Sequence, residues 1–350
     1  MNEVQVAIIG AGPIGLELAV AFKQLQVDYL HLEARQIGHT ISWYPRQVRF
    51  FSSADRIAIA GVPIPSADQS KPTGEDYLAY LRAICQMFDL QVHTFERVMA
   101  IRRTGDGFEL GTERADGTRT YRARYVVVAV GDMAGPRRLQ IPGQDLPHVD
   151  HYFNEPHRYF ATRLLIVGGR NSAVEAAIRC QRAGARVALS YRRGEFDRQA
   201  VKYWLAPEIQ MLIRTGQIDF YPRTVPVRIG PGRVWLRPVD TAEAAQLELE
   251  ADFVLLLVGY QMDPTLFRIA GVKLAGPNQA PCFDADTMQT NVPGIFVAGT
   301  AAAGTQNRFR LFIENCHGHV GRIVKAITGR DCPFGARDLT TSSRYRLPET

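Results

Sequence analysis

Two glycine turns are the parts of this chain best suited to chemistry, because each could hold the phosphates of a dinucleotide. The first, at residues 10–15, has the sequence GAGPIG, follows an apolar strand at 4–9 and opens a helix over 16–25. Its three glycines permit a tight turn, a close approach to a pyrophosphate and a close helix–strand contact, with the pyrophosphate at the positive end of the helix. Glu33 ends the next predicted strand, where it could accept from both hydroxyls of an adenosine ribose. This order predicts a site for FAD or NAD.

The second glycine turn, at residues 168–173 with the sequence GGRNSA, also follows an apolar strand and precedes a helix. Arg170 occupies the place of the middle glycine, where a side chain crowds the backbone unless it points outward. The following strand, 186–191, ends in Arg192 and Arg193 instead of an acid. Guanidinium groups pair with a 2′-phosphate, which a carboxylate would repel, so this turn is predicted to bind NADPH. A solvated basic turn is the alternative interpretation of the two arginines.

Thiols and imidazoles are the other groups that could move electrons or protons. The five cysteines lie far apart in the sequence, and the absence of a C-x-x-C motif excludes a local redox dithiol and a zinc ribbon. Buried, reduced thiols are the expected state. His317 and His319 are two residues apart, and on a helix such side chains diverge, so they are not expected to share a metal. No metal site is predicted.

The elements that must position these groups alternate between strand and helix, which predicts an α/β fold with parallel sheets. Apolar strands that end at Gly131 and Gly259 enclose the second turn, and a third ends at Gly299 and Thr300. This nesting predicts two Rossmann-like dinucleotide-binding domains, the second inserted into the first. The outer domain would comprise residues 1–134 and 262–350, the last part with a C-terminal tail, and the inserted domain 135–261.

Local patterns predict three smaller elements. Residues 75–88 have apolar side chains at helical spacing, with Cys85 on the core face. Residues 108–110 and 120–124 are predicted to pair in an antiparallel β meander. A helix after Gly304 is predicted to cover 309–327.

Size and composition favour a globular protein with anionic ligands. The 350 residues suffice for two domains, and 46% hydrophobic and 22% charged residues are ordinary proportions. No run approaches the roughly 20 apolar residues of a membrane helix, and no signal peptide is visible, so a cytoplasmic protein without a membrane partner is expected. The net charge of +6 suits NADPH, and the scattered arginines argue against nucleic acid.

The chain resembles the flavoproteins of the thioredoxin reductase type, which have two dinucleotide-binding domains, and among them it is most similar to the bacillithiol disulfide reductase family. The similarity runs over about residues 4–330. Four stretches carry it: FFSS at 50–53, IVGGRNSAVE at 166–175, KYW at 202–204 and FIEN at 312–315. The resemblance implies FAD on the outer domain, NADPH on the inserted domain and hydride transfer between them.

The resemblance also implies which positions hold the cofactors. The expected FAD contacts are Gly10, Gly12, Pro13, Gly15, Glu33, Ser52, Gly131, Gly299 and Thr300, and the expected NADPH contacts are Gly168, Gly169, Asn171, Ser172, Arg192 and Arg193. Lys202 could add positive charge near NADPH. Many relatives carry an aspartate at the position of Thr300, and a hydroxyl there makes a weaker, uncharged contact.

Two departures from these families affect the expected chemistry. Thioredoxin reductases carry a redox dithiol where this chain has His151 and Tyr152, and bacillithiol disulfide reductases often have a cysteine where it has Ile14. The catalytic residues are therefore unknown, and the candidates are Cys316 as a redox thiol and His317 or His151 as the acid that protonates a leaving thiolate. A packed thiol and solvated or capping imidazoles are the competing interpretations.

The sequence thus predicts an enzyme that passes electrons from NADPH through FAD to a low-molecular-weight disulfide such as bacillithiol disulfide. A homodimer or homotetramer is expected. The alternatives are an NADPH–flavin reductase of a partner protein or quinone, an FAD-dependent monooxygenase, and a non-enzymatic sensor of NADPH or FAD.

Overall fold

The computed structural model describes residues 3–197, 201–240, 245–307 and 310–335. Its strands, in chain order, are β1 (Glu3–Ile9), β2 (Tyr29–Leu32), β3 (Arg97–Thr104), β4 (Gly107–Arg114), β5 (Gly117–Val128), β6 (Gly135–Pro136), β7 (Val149–Asp150), β8 (Arg163–Val167), β9 (Arg186–Tyr191), β10 (Ile218–Pro222), β11 (Thr224–Gly230), β12 (Arg233–Pro238), β13 (Leu247–Glu250), β14 (Phe253–Leu256), β15 (Tyr260–Gln261), β16 (Leu274–Ala275), β17 (Ala280–Pro281) and β18 (Ile295–Val297). Its α-helices are α1 (Pro13–Gln24), α2 (His39–Ser42), α3 (Ala54–Ile57), α4 (Gly74–Met87), α5 (Asn171–Arg182), α6 (Ala206–Arg214), α7 (Thr265–Ile269) and α8 (His317–Thr328), and short 3-10 helices cover His157–Tyr159, Gly299–Ala303 and Ile313–Asn315.

The chain divides into two units. The first contains the residues up to Ser42, Gln47–Gly135 and the described residues from Tyr260 on, and the second contains Trp43–Arg46 and Pro136–Gly259. The alternation of strands and helices in both units confirms the predicted α/β class.

The first unit is built on a sheet whose strand order is β2-β1-β5-β4-β3, with β18 also paired to β5. The two halves of the long strand β5 pair with different strands. Its first half pairs antiparallel with β4, and its second half lies parallel between β1 and β18. Ile9, Val128 and Val297 share one register. The carboxyl ends of β1, β5 and β18 therefore meet at the same edge, which is where ligands bind in parallel α/β sheets.

The second unit is built on a fully parallel sheet, in the order β10-β9-β8-β14-β7. Side chains of β8 alternate between its two faces: Leu164 and Ile166 pack with α5 and α6, whereas Leu165 and Val167 pack with the antiparallel strands β11 and β12. Both faces are covered, as parallel sheets require, and the carboxyl ends of β8, β9 and β14 lie side by side.

Several predicted elements lie close to their expected positions, and one does not. Helix α4 covers nearly the predicted span, and the predicted meander corresponds to β4 and β5. The predicted helix over 309–327 is wrong at its start, because α8 begins at His317 and residue 309 lies outside the described residues. The side chains of Gln306 and Asn315 bond the backbone at Arg310–Phe312, which satisfies those groups without a helix.

Within the described part of the chain, no helix is both long enough and apolar enough to cross a membrane.

Candidate dinucleotide-binding sites

The three glycines of the first turn have three different environments. Gly10 has φ +109°, and a Cβ there would lie 2.5 Å from the carbonyl oxygen of Ala129. At Gly15 a Cβ would lie 2.0 Å from the carbonyl oxygen of Gly10, so α1 rests directly on the turn. A Cβ at Gly12 would meet nothing within 4 Å. The turn is therefore closed on the protein side and open at Gly12, where a pyrophosphate can approach the backbone.

Pro13 and Glu33 complete the first site. Pro13 is the first residue of α1, where a missing N–H costs nothing. The Glu33 carboxylate accepts from the backbone N–H of Ala11 at 2.8 Å and from that of Arg35 at 2.7 Å. These bonds hold the acid beside the glycine turn, and its oxygens retain lone pairs that can accept ribose hydroxyls.

A buried histidine, His31, bonds the backbone of the first glycine turn. The sequence pattern did not indicate this contact. His31 in β2 is 1% exposed, and its Nε2–H donates to the carbonyl oxygen of Gly10 at 3.0 Å. Burial lowers the pKa of His31 to about 4, against the smaller opposing effect of the Gly10 hydrogen bond. His31 is therefore neutral and acts as a fixed hydrogen-bond donor.

The ends of β5 and β18 bring the other predicted FAD residues to this edge. A Cβ at Gly131 would lie 3.7 Å from Oγ1 of Thr300, and one at Gly299 would lie 3.5 Å from Cβ of Ile14. Gly10, Gly131 and Gly299 thus gather around one edge. Ile14, at the position where bacillithiol disulfide reductases often have a cysteine, packs against Gly299. Ser52, also predicted for this site, belongs to the same unit and is 6% exposed.

Asp132 at this edge was missed by the sequence analysis. Its side chain is buried, and Oδ2 accepts from Nε2 of Gln306 at 2.8 Å. Burial raises the pKa of Asp132, and the side chains of Gln306 and Thr300 oppose the rise. The only sequence signal was a lone acid after a strand-ending glycine.

Cys316, the candidate redox thiol, lies inside the protein. It is fully buried at the start of α8, and burial raises the pKa of its thiol, with further contributions from Asp132 and Glu17. Since the thiolate is the reactive form, this environment opposes thiol–disulfide exchange at Cys316. All five cysteines of the chain are free thiols.

His317, the candidate acid, is enclosed between helices. Its Nδ1 lies 2.7 Å from Oε2 of Glu17, and its Nε2 lies 2.9 Å from the carbonyl oxygen of Arg56. Both side chains of the His317–Glu17 pair are 1% exposed. Each ring nitrogen therefore faces an oxygen atom, one of the Glu17 carboxyl group and one of the Arg56 backbone. This arrangement ties α8 to α1 and is typical of a structural ion pair.

The second glycine turn has its own close contacts. Gly168 has φ +148°, and a Cβ there would lie 2.4 Å from the carbonyl oxygen of Leu257. A Cβ at Gly169 would lie 2.5 Å from ring atoms of Tyr191, so this glycine is required by packing. Arg170 has φ −115° and ψ −174°, extended angles open to any residue, so its backbone is not strained.

Arginine side chains converge beside the second turn. The backbone N–H of Arg137 donates to the carbonyl oxygen of Gly259 at 2.9 Å, which fixes Arg137 at the end of β14. Burial lowers the pKa of Arg137, and the charges of Arg170 and Arg192 lower it further. These three cations lie at the ends of adjacent strands and make this edge attractive to phosphates. Arg193 is directed instead toward Asp197, with Nη1 to Oδ2 at 3.6 Å.

Asn171 and Ser172 are the first residues of α5, and Lys202 lies against Asn171. The backbone N–H of Lys202 donates to Oδ1 of Asn171 at 2.6 Å, while its Nζ lies 3.2 Å from Oε2 of Glu175. Lys202 is 7% exposed, so its charge is balanced inside the unit by Glu175. The backbone of Lys202 thus helps to hold the Asn171 side chain in place.

His151, the third catalytic candidate, lies in the second unit beside the guanidinium group of Arg138. Its Nε2 is 2.5 Å from Nη1 of Arg138 and 3.2 Å from the carbonyl oxygen of Gln144. Burial lowers the pKa of His151, and the charge of Arg138 lowers it further. His151 is therefore a poor proton donor near neutral pH in this conformation.

Both sites suit a dinucleotide on physical grounds. Each joins a strand to a helix N-terminus through a glycine turn, one beside a carboxylate and the other beside a group of arginines. A carboxylate favours an unphosphorylated adenosine such as that of FAD, and the arginines favour the additional phosphate of NADPH.

Comparison with known proteins defines the class. The chain belongs to the pyridine nucleotide-disulphide oxidoreductase family, which matches residues 7–299. It is similar to bacilliredoxin reductase Bdr of Bacillus subtilis (strain 168), with 34% identity over 95% of this chain and 99% of the relative. It is also similar to the structure of bacillithiol disulfide reductase Bdr from Bacillus cereus, with a TM-score of 0.88 and 33% identity over 94% of this chain and 100% of the other. The corresponding Staphylococcus aureus structure gives a TM-score of 0.87 at 31% identity, over 94% and 99% of the two chains.

These similarities confirm the predicted family resemblance and the predicted activity class. The protein is an NADPH-dependent oxidoreductase of the disulfide reductase type, with FAD and NADPH as its cofactors.

Proposed function

We propose that this protein reduces a low-molecular-weight disulfide of the bacillithiol type with electrons from NADPH. The observation that carries the proposal is the 33% identity, at a TM-score of 0.88, to a bacillithiol disulfide reductase over nearly the whole of both chains. In the balanced reaction, NADPH, one proton and the disulfide give NADP⁺ and two thiols. FAD held at the first glycine turn would supply the redox chemistry, taking two electrons from NADPH and passing them to the S–S bond.

The site residues follow from this proposal. We assign the FAD site to Gly10, Gly12, Pro13, Gly15, Glu33, Ser52, Gly131, Gly299 and Thr300, and the NADPH site to Gly168, Gly169, Asn171, Ser172, Arg192 and Arg193. The open turn at Gly12 and the arginines beside Gly168 support this assignment. The corresponding domain boundaries are 1–134, 135–261 and 262–350, with the NADPH domain inserted into the FAD domain. The division of the chain into two units supports that arrangement.

We also propose that disulfide reduction does not use Cys85, Cys180, Cys316 or Cys332. Ile14 occupies the first glycine turn, and Cys180, Cys316 and Cys332 are buried. Burial raises the pKa of Cys85 and of Cys332 to about 11, so neither thiol is ionised at neutral pH.

Two further expectations belong to the same proposal. Free thiols throughout the chain fit a reducing compartment, which supports a cytoplasmic location. A homodimer or homotetramer is proposed from the family resemblance and is tested by analytical ultracentrifugation.

An anaerobic half-reaction experiment tests the function. The FAD-loaded protein is reduced with one equivalent of NADPH and then mixed with bacillithiol disulfide. We expect rapid return of the oxidised flavin spectrum and release of two thiols per flavin. A flavin that NADPH reduces but the disulfide leaves reduced would contradict the proposed substrate.

The name of the Bacillus subtilis relative favours a second candidate substrate, a bacilliredoxin. The same reduced protein is therefore mixed with a bacilliredoxin in mixed disulfide with bacillithiol. Faster flavin reoxidation by the protein disulfide than by bacillithiol disulfide would favour the protein substrate.

A further inference from the structure

The backbone of Glu33 is bonded, through both its N–H and its carbonyl group, to a segment from much later in the chain. Residues 93–96 lie beside the end of β2, the end strand of its sheet, where His93 forms a parallel bridge with Leu32. The N–H of Glu33 donates to the carbonyl oxygen of His93, and the N–H of Glu96 donates to that of Glu33, each at 2.9 Å. Glu33 thus continues the sheet beyond β2, with its carboxylate bonded to the glycine turn.

The segment 93–96 has an unfavourable backbone conformation at Phe95. This residue has φ +57°, in the left-handed region that residues with a side chain disfavour, and its ring is exposed. Its N–H donates to the carbonyl oxygen of Arg35 at 2.9 Å. Such a conformation persists only where the surrounding structure fixes it, so the segment depends on contacts made by its neighbouring residues.

The side chain of Glu96 supplies such contacts. It is fully buried, which is rare for an acidic residue. Its Oε1 accepts from the Thr112 hydroxyl at 2.6 Å. Its Oε2 lies 3.3 Å from Nδ1 of His93, 3.5 Å from Nη1 of Arg114 and 3.9 Å from Nη1 of Arg119. Thr112 and Arg119 pair directly across β4 and β5, so the Glu96 side chain fastens the segment to this hairpin.

We propose that Glu96 is a positioning residue of the FAD site, which fixes the backbone of Glu33 so that the Glu33 carboxylate meets the hydroxyl groups of the adenosine ribose. The buried side chain holds Glu96 in place, and its N–H holds the carbonyl group of Glu33. Without that anchor the segment is free to relax at Phe95, and the backbone of Glu33 loses a fixed partner. The Glu33 carboxylate then has no fixed position, and its hydrogen bonds to the ribose weaken. This inference rests on the assignment of Glu33 to the FAD site.

The test compares two ligands of the apoprotein: FAD, and the FAD analogue whose adenosine carries a 2′,3′-dideoxyribose. Quenching of flavin fluorescence gives both dissociation constants, without NADPH or a disulfide. The wild type should bind FAD roughly tenfold more tightly than the analogue, because a ribose hydroxyl makes a charge-assisted hydrogen bond to a carboxylate. In Glu33→Gln and in Glu96→Gln this preference should fall to about twofold. The double variant should show the same preference as Glu33→Gln alone, because Glu96 acts through Glu33.

A second variant and a control accompany Glu96→Gln. Thr112→Val removes the hydroxyl that donates to Oε1 of Glu96 and should also lower the preference for FAD. It carries the test if Glu96→Gln does not fold. Glu113→Gln, at an exposed acid on the same strand β4, is the matched control and should keep the wild-type preference.

A merely structural role for Glu96 predicts a different pattern, in which FAD and the analogue lose affinity by the same factor and the preference stays at its wild-type value. That result in folded Glu96→Gln, or in Thr112→Val where Glu96→Gln does not fold, would overturn the inference. Equal affinity of the wild-type protein for the two ligands would also overturn it, together with the assignment of Glu33 to the ribose. Because neither NADPH nor a disulfide is present, these results do not depend on the proposed disulfide reduction.

Discussion

The Nε2 atom of His31 lies 3.0 Å from the carbonyl oxygen of Gly10, so a neutral imidazole holds the backbone of the first glycine turn. The Nδ1 atom of the same ring is buried and has no hydrogen-bond partner among the described residues. Protonation would therefore place an unpaired charge beneath the cofactor turn. The low pKa of His31, about 4, follows from that burial.

This relationship predicts a loss of stability in mild acid. The unfolded chain binds a proton at His31 below its ordinary pKa of 6.5, while the folded chain does so only near 4, so stability falls as the pH drops through that window. Between pH 8 and pH 5 the loss from this residue should be about 2 kcal/mol. His31→Gln, whose amide can still donate to Gly10, should lose less stability over this range than the wild type.

Urea unfolding of the FAD-loaded protein at pH 8 and pH 5 measures the effect of His31. His157→Gln, at an exposed histidine of the second unit, is the matched control and should keep the wild-type pH dependence. If His31→Gln and the wild type lose the same free energy of unfolding between these pH values, the buried neutral histidine is excluded as the cause.

The arginine group of the second unit predicts how the protein selects its coenzyme. Replacing Arg192 and Arg193 by alanine should raise KM for NADPH at least tenfold and KM for NADH little, because only NADPH carries the 2′-phosphate. Arg170→Ala should raise both KM values by similar factors, because Arg170 lies at the turn assigned to the pyrophosphate that both coenzymes share.

Steady-state kinetics with both coenzymes distinguishes these roles. Arg233→Ala is a suitable control, since Arg233 lies on β12 and pairs with Glu248 at 2.7 Å. Equal changes in KM for NADPH and NADH in the Arg192/Arg193 variant would argue against a 2′-phosphate site at these residues.

The environments of Cys316 and Cys85 predict that neither thiol takes part in turnover. Cys316→Ala and Cys85→Ser should each retain kcat within about twofold, because neither thiol is ionised at neutral pH in the folded protein. Stopped-flow measurement separates the half-reactions: normal flavin reduction with lost disulfide reduction in Cys316→Ala would establish a redox role for that thiol.

The sequence was sufficient to predict what depends on local patterns. Both glycine turns were identified because a strand, a turn and a helix follow one another within one short stretch. Contacts between residues far apart in the chain were missed: Asp132 bonds Gln306, and Arg137 bonds Gly259 near the charge of Arg192. The pairing of Lys202 with Glu175 was missed for the same reason, since nothing in the sequence indicates it.

The His317–Glu17 pair allows a decision between a structural and a catalytic role. His317→Ala leaves the Glu17 carboxylate buried without its ion-pair partner, so the free energy of unfolding should fall by about 3 to 5 kcal/mol. The double variant Glu17→Leu/His317→Leu removes both charges and should recover much of this loss, because desolvation of the pair no longer opposes folding.

Turnover supplies the contrasting measurement for His317. If the pair only ties α8 to α1, the folded fraction of each variant should keep the wild-type pH profile of kcat below the unfolding temperature. A structural residue lowers stability and leaves that profile in place, whereas the acid that protonates a leaving thiolate sets one limb of it. Loss of the acidic or basic limb in His317→Gln, with wild-type unfolding, would therefore return His317 to the catalytic candidates.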